Sequence, residues 1–284
     1  MISALNIFRF VSSHPLTCGN RLKAVGRVFA WQIRSSLQSE VIVSWIGEQK
    51  LAVKRGMTGA TGNVYVGLHE FYDMMFLLHF LRSGDLFLDI GANIGAYTVL
   101  ASGVCGSETW AFEPDPTSVA ALRRNIELNL LQELVTVHEV ALGANEGDVS
   151  FTIGRDTTNR VTNEDKTNCR VVPQMKLDSV LKDARPIFAK LDVEGYEEEV
   201  LRAGTRLVIN DSLQAIELET VTPFIEETLS AHRFCRSYYN PFKRALSRDS
   251  IGVQTCNALF VRDFDFVNGR VKSAEKICVL GFAI

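Results

Sequence analysis

The sequence predicts an α/β protein: a doubly wound, mostly parallel β-sheet preceded by an extension of helices and a β-hairpin. Three observations carry this reading. From residue 85 onward, near-continuous apolar segments of strand length alternate with helical segments, the pattern of parallel strands covered on both faces. The stretch LFLDIGANIGAYT (86–98) runs from a buried strand through a turn bearing Gly91 and Gly95 into the opening of a helix. The chain has 284 residues, 46% of them hydrophobic, which is ample for one large core. The boundary is drawn between residues 1–83, the extension, and 84–284, the sheet domain.

Within the extension, residues 21–37 place Leu22, Val25, Phe29, Ile33 and Leu37 at helical spacing. VIVSWI, a turn at GEQK, and LAVKRG read as a hairpin. The glycine-rich GMTGATGNVYVG (56–67) reads as loop, and HEFYDMMFLLHFLRSG (69–84) as a lid-like helix closed by Gly84. In the second part, strands are expected at 85–90, 109–113, 135–140, 186–193 and 213–219, with a further strand near 147–153. Helices are expected at 94–103, 116–129, 177–183, 196–203 and 223–231. Two late strands, 232–239 and 256–262, complete the order.

Net charge is −3, so the molecule as a whole is no nucleic-acid binder. Residues 1–39 nevertheless carry Arg9, Arg21, Lys23, Arg27 and Arg34 and no acid. The other 25 basic and 33 acidic side chains leave the remainder at −8. A basic amphipathic helix of this kind either lies on an anionic membrane surface or packs as a lid or a homodimer interface. The six cysteines form no CxxC pair and are irregularly spaced, which fits a reducing compartment better than a zinc site or a disulfide framework. Arg9 and His14 interrupt any signal-peptide core, and MMFLLHFL (74–81) is too short to span a bilayer. The expectation is a cytoplasmic protein, peripheral at the inner face of a membrane if the basic helix docks there.

In a doubly wound sheet the turn at 89–95 lies where ligands bind. A dinucleotide fold asks for G-x-G-x-x-G; counting from Gly91 gives Gly91, Asn93 and Ala96, so the glycine that admits a pyrophosphate is missing. What is present is an acid at the strand end, Asp89, followed by Gly91 and Gly95. A carboxylate repels pyrophosphate and attracts the ammonium of S-adenosylmethionine. The next strand ends in FEPD, and Glu113 there can accept both ribose hydroxyls. S-adenosylmethionine is therefore the expected cofactor.

DIGANIGAYT (89–98), FEPDP (112–116), VALG (140–143) and KLDVEGYE (190–197) resemble the FkbM-type methyltransferases. The resemblance covers roughly residues 84–220 and rests most on Asp192-x-Glu194-Gly195. It implies the class I methyltransferase fold, a Rossmann-like seven-stranded sheet parallel except for one late antiparallel strand. It also implies O-methylation of a hydroxyl on a sugar, glycolipid or polyketide. Carried over by residue, Asp89, Gly91, Asn93 and Gly95 would line the methionine end of the cofactor. Glu113, with Pro114 after it, would hold the ribose, and Ala141 and Leu142 would flank the adenine.

Methyl transfer to an alcohol requires alignment and a base for its proton. Side chains alternate along a strand, so Asp192 and Glu194, closing strand 186–193, are expected on one face pointing into one cleft, and Lys190 shares it one step earlier. Either carboxylate is expected to touch cofactor or substrate and to be a candidate base. Glu217 and Glu219, at the end of the next strand, are expected to complete an acidic pocket with Asp192, and Glu217 is the third catalytic candidate. Four carboxylates near one point permit a Mg²⁺ or Ca²⁺ ion, but no histidine accompanies them at ligand spacing, so no metal is the expectation. Glu197, Glu198 and Glu199 read as a solvated helix start. His69 and Glu70, just before the helix, read either as a segment lying over the cofactor pocket or as a helix N-cap region, the latter slightly preferred for His69. His79 reads as a core residue, and DTTNRVTNED (156–165) as a substrate loop or a surface hairpin. Two other functions remain open. One is a catalytically silent binding or scaffold protein, disfavoured by the intact acids. The other is an N-methyltransferase, disfavoured because the fourth strand ends in LDVEGY rather than a motif such as NPPY.

Overall fold

The computed structural model describes residues 4–154, 158–162, 168–250, 252 and 255–284. Two helices open the chain, α1 (Ala4–Ser13) and α2 (Arg21–Leu37). The hairpin β1 (Val41–Ser44) and β2 (Lys50–Val53) follows, then α3 (Thr58–Val66) and α4 (Phe71–Phe80). Next come β3 (Leu86–Ile90), α5 (Ala96–Thr98), which runs on as a π-helical turn Val99–Val104, β4 (Glu108–Phe112), α6 (Pro116–Leu128) and β5 (Val135–His138). Three strands then form a small sheet of their own: β6 (Ala141–Leu142), β7 (Gly147–Thr152) and β8 (Cys169–Met175). The main sheet resumes with α7 (Leu177–Leu181), β9 (Phe188–Leu191), α8 (Glu197–Arg202), α9 (Thr205–Ile209), β10 (Ala215–Leu218) and α10 (Pro223–Ala231). The chain closes with β11 (Cys235–Asn240), β12 (Ala245–Ser247), β13 (Ala258–Val261), α11 (Phe264–Lys272), β14 (Cys278–Val279) and β15 (Phe282–Ala283).

The central sheet has the order β12-β11-β13-β10-β9-β3-β4-β5 among the described residues. It is parallel from β5 to β10, while β13 is inserted antiparallel to both β10 and β11. This is the mostly parallel α/β architecture that the sequence predicts. The expected seven strands are eight, because three-residue β12 adds to the edge antiparallel to β11, and two strands rather than one run against the rest. One face is covered by α4 and α11, where Phe76 stacks on Phe80 at 5.3 Å and both meet Phe188 edge-on. His79 is buried here as expected, its Nδ1 2.5 Å from the Tyr239 hydroxyl.

Several elements differ from the sequence expectation. The stretch 56–67 is helix over 58–66, not loop. Ala60, Tyr65 and Val66 are buried there, and tertiary packing outweighs the low propensity of its glycines. The expected helix 94–103 is split into α5 and a π-helical turn. Strand 186–193 ends at Leu191. The apolar stripe of α2 points outward: Leu22, Phe29, Ile33 and Leu37 are exposed, while Ala24, Trp31 and Ser35 form the packed face.

Candidate functional site

The site lies beyond the carboxyl ends of β3, β4, β9 and β10, beside the point where the strand order reverses. The turn after β3 is held by Gly91 and Ala92, whose N–H groups both donate to the Phe112 carbonyl at 3.0 Å. Gly91 has φ +86°, and a Cβ there would lie 1.9 Å from the Asp192 carbonyl oxygen. Glycine at 91 therefore lets the turn approach the loop after β9. Asn93 also takes positive φ and donates its N–H to Glu113 Oε2 at 2.8 Å. Gly95, at φ +84°, serves the turn and packs on Leu122, and it lines neither cavity described below. Asp89 is buried and accepts the Thr98 hydroxyl at 2.6 Å. Burial pushes its carboxyl up to about 6, with nearby Lys190 opposing.

A cavity of about 350 Å³ opens beside this turn, a volume suited to a small ligand. Glu113, Pro114, Ala141 and Leu142 form part of its wall, as does Phe112, whose ring stacks on His138 at 4.6 Å. Glu113 Oε1 accepts the Asp115 N–H at 2.9 Å, so each carboxylate oxygen is oriented by one backbone donor. Burial nevertheless pushes its carboxyl up to about 7. Asp192, Glu194 and Glu219 face the same cavity, with one carboxylate oxygen from each lying within 4.8 Å of the others. Burial, then Asp192 and Glu194, push Glu219 up to about 8, so it carries a proton at neutral pH and relieves the repulsion. Burial also raises Glu194.

Asp192 and Glu194 are brought together by a loop, not by strand alternation. The strand stops at Leu191, Glu194 has φ +55° and Gly195 φ +88°. Glu197 ties this loop down by accepting from Val193 and Gly195 N–H at 3.1 and 3.3 Å. It is 1% exposed, so the solvated role expected for it does not hold. Glu219 takes the place expected of Glu217 as well as its own. Glu217 is 1% exposed, lines neither cavity, and both of its carboxylate oxygens are without a hydrogen-bond partner. Burial, with Asp73 beside it, raises it well above the carboxylate range and keeps it neutral.

A smaller cavity of about 90 Å³ adjoins the first, lined by Asp89, Lys190, Tyr97, Glu70 and His69. The Lys190 ammonium pairs with Asp192 and lies 4.5 Å from the Tyr97 ring centroid. Burial alone would lower Lys190, but Asp192, Glu70 and Asp89 overrule it and hold the ammonium charged. The Tyr97 hydroxyl donates to Glu70 Oε2 at 2.5 Å. His69 and Glu70 reach both cavities from the junction of α3 and α4, and the His69 ring occupies the space above Gly62, where a Cβ would lie 1.7 Å from Nδ1. The glycine-rich stretch that reads as loop was the signal for that placement. Of the 156–165 segment, the described residues Thr158, Asn159 and Val161 line the larger cavity, and Val161 bridges to Phe151; residues 156–157 and 163–165 lie outside the described residues.

The larger cavity has five acids on its described wall, Glu70, Glu113, Asp192, Glu194 and Glu219, and neither lysine nor arginine. Such a site accepts a cationic ligand with hydroxyls and rejects a pyrophosphate.

Comparison with known proteins agrees with this chemistry. The family model described as the methyltransferase FkbM domain matches residues 89–240. A hexuronic acid methyltransferase, AglP of Haloferax volcanii, is 27% identical over 145 residues, which make up 50% of this chain and 59% of the relative. A ribosomal protein L11 methyltransferase of Chloroflexus aurantiacus is 29% identical over 124 residues, 40% of this chain and 36% of that protein. The chain thus spans less than two thirds of these curated relatives, 59% and 36% of their length. Among solved structures, a methyltransferase FkbM from Methylobacillus flagellatus is similar with a TM-score of 0.43 at 18% identity, over 84% of this chain and 60% of that one.

Proposed function

The chain belongs to the FkbM methyltransferase family, and on that premise we propose that it is an S-adenosylmethionine-dependent O-methyltransferase acting on a hydroxyl of a carbohydrate, glycolipid or related natural product. The observation that carries this is the acid-lined cavity at the carboxyl edge of the parallel sheet, whose wall holds neither lysine nor arginine among the described residues. The residues fit the cofactor: Asp89, Gly91 and Asn93 would hold its methionine end, Glu113 and Pro114 its ribose, and Ala141 and Leu142 its adenine. When bound, S-adenosylmethionine supplies a methyl group on a positively charged sulfur. The relative named for hexuronic acid supports a sugar-type acceptor.

In this reading Glu194 takes the proton of the acceptor hydroxyl, because its raised basicity and its place on the cavity wall suit a base. Asp192, paired with Lys190, stays a fixed acceptor that orients cofactor and hydroxyl. Glu217, buried, neutral and off both cavity walls, touches neither and is given no catalytic role. Residues 1–83 are the extension whose α3 and α4 roof the site. The six unpaired cysteines support a reducing, cytoplasmic setting, and residues 1–39 offer a contact to an anionic membrane or to a second copy of the chain.

The test is incubation with methyl-labelled cofactor and fractionated cell glycans, with mass spectrometry of the product. Glu194→Gln is expected to lower turnover by about 10²–10⁴-fold with cofactor affinity nearly intact. Cofactor binding by the wild-type protein without labelled product in any fraction would leave a silent binding protein instead.

A further inference from the structure

α2 is amphipathic the wrong way round for a helix covered only by water. Its packed face, Ala24, Trp31 and Ser35, rests on the protein, with Arg27 donating to the Tyr65 carbonyl and Gln32 to the Tyr65 hydroxyl of α3. On the opposite side Leu22, Phe29, Ile33 and Leu37 are 88%, 65%, 60% and 79% exposed. At helical spacing these four and Gly26 fall within an arc of about 80°. α1, packed on α2, adds Leu5 and Phe8, 66% and 52% exposed. Arg9, Arg21, Lys23 and Arg34 are exposed on the same two helices, and residues 1–39 contain no acid to neutralise them. No helix among the described residues is long and apolar enough to cross a membrane.

We propose that α1 and α2 form a docking surface for an anionic lipid leaflet, with the α2 stripe immersed and the basic side chains at headgroup level. Charge decides the occupant. A second copy of the chain would set like charges against each other in a two-fold contact. The stripe, about 23 Å long and one side chain wide, is also far short of the ~800 Å² per partner of a stable dimer. The inner side of α2 rests on α3, whose first turn lines the larger cavity through Thr58 and Gly59. Docking would hold the cavity within two helix diameters, about 20 Å, of the lipid surface. This deepens the proposed function by presenting the site to acceptors carried on lipid.

The experiment is sedimentation of the full chain, without cofactor or acceptor, with vesicles of phosphatidylcholine alone or mixed with phosphatidylglycerol. Its failure would leave methyl transfer untouched. Binding is expected on the anionic vesicles only and is expected to weaken as salt rises. Arg21→Gln with Lys23→Gln is expected to reduce it about 25-fold, roughly fivefold per charge. Phe29→Ser with Ile33→Ser is expected to abolish it, and unchanged thermal melting will show that both variants, altered only at exposed positions, remain folded. No sedimentation with either vesicle, equal binding to both, or wild-type binding by the variants overturns the proposal. So does a dimer in light scattering that Phe29→Ser dissociates while vesicles capture nothing.

Discussion

Gly91 and Glu113 show how much a single position can decide. With φ at +86° and the Asp192 carbonyl in the place of a side chain, Gly91 meets two independent demands, each sufficient to exclude other residues. Gly91→Ala is expected to cost about 1–3 kcal/mol in backbone strain alone, with the clash in addition, and to weaken cofactor binding. Thermal melting and calorimetry measure the two effects. Glu113 sits near neutrality at about 7 because burial opposes its charge while two backbone donors favour it. As a carboxylate it accepts hydroxyl hydrogen bonds more strongly than as an acid. Affinity for S-adenosylmethionine is therefore expected to rise as pH increases through about 7, and Glu113→Gln is expected to be weaker and to lose that dependence. A Gln variant with the wild-type pH profile would assign the titration to another group. The identity of both residues was legible in the sequence, since Asp-x-Gly and the acid after the second strand are spacing signals. The raised pKa was not, because it depends on what covers the carboxyl.

Among the elements, the loop 192–196 and helix α3 place the acids and the roof. Strand alternation predicts that Asp192 and Glu194 share a face; they do converge, but through a left-handed turn held by Glu197. Sequence periodicity does not mark where this strand stops, because Asp192, Val193 and Glu194 continue a strand-like alternation of polar and apolar residues. α3 is helical against its glycine content, because Gly62 makes room for His69 and the buried Ala60, Tyr65 and Val66 stabilise the helix from outside. α2 offers the complementary test. Gly26 lies in a helix interior with nothing within 4 Å of a Cβ. Gly26→Ala is expected to raise stability by about 0.5–1 kcal/mol, read as a higher Tm.

At the scale of the molecule, burial of acids around one site makes stability fall with pH. Asp73 and Glu113 stand at about 7 and Glu219 at about 8, all above the 3.8 and 4.5 of unfolded aspartate and glutamate. A raised folded value means that the folded state binds more protons, so its contribution is full below pH 4 and is lost as pH rises toward 8. His14 and His79, lowered by burial to about 4, act in the opposite sense, but their effect is complete by pH 6.5. Between pH 6.5 and 8.5 the Tm of the free protein is therefore expected to decline; a flat or rising curve would show that the acids are solvated. The sequence alone determined the alternation that makes the sheet parallel, the acid-and-glycine turn that rejects a pyrophosphate, and the acid-free basic N-terminal segment. These are local in the chain, set by residue type and spacing. Only the tertiary structure decided that Glu219 rather than Glu217 joins Asp192 and Glu194, which of the two readings of His69 and Glu70 holds, and that the apolar stripe of α2 faces outward. Each of those depends on which of two opposite faces is covered, and covering is done by segments distant in sequence.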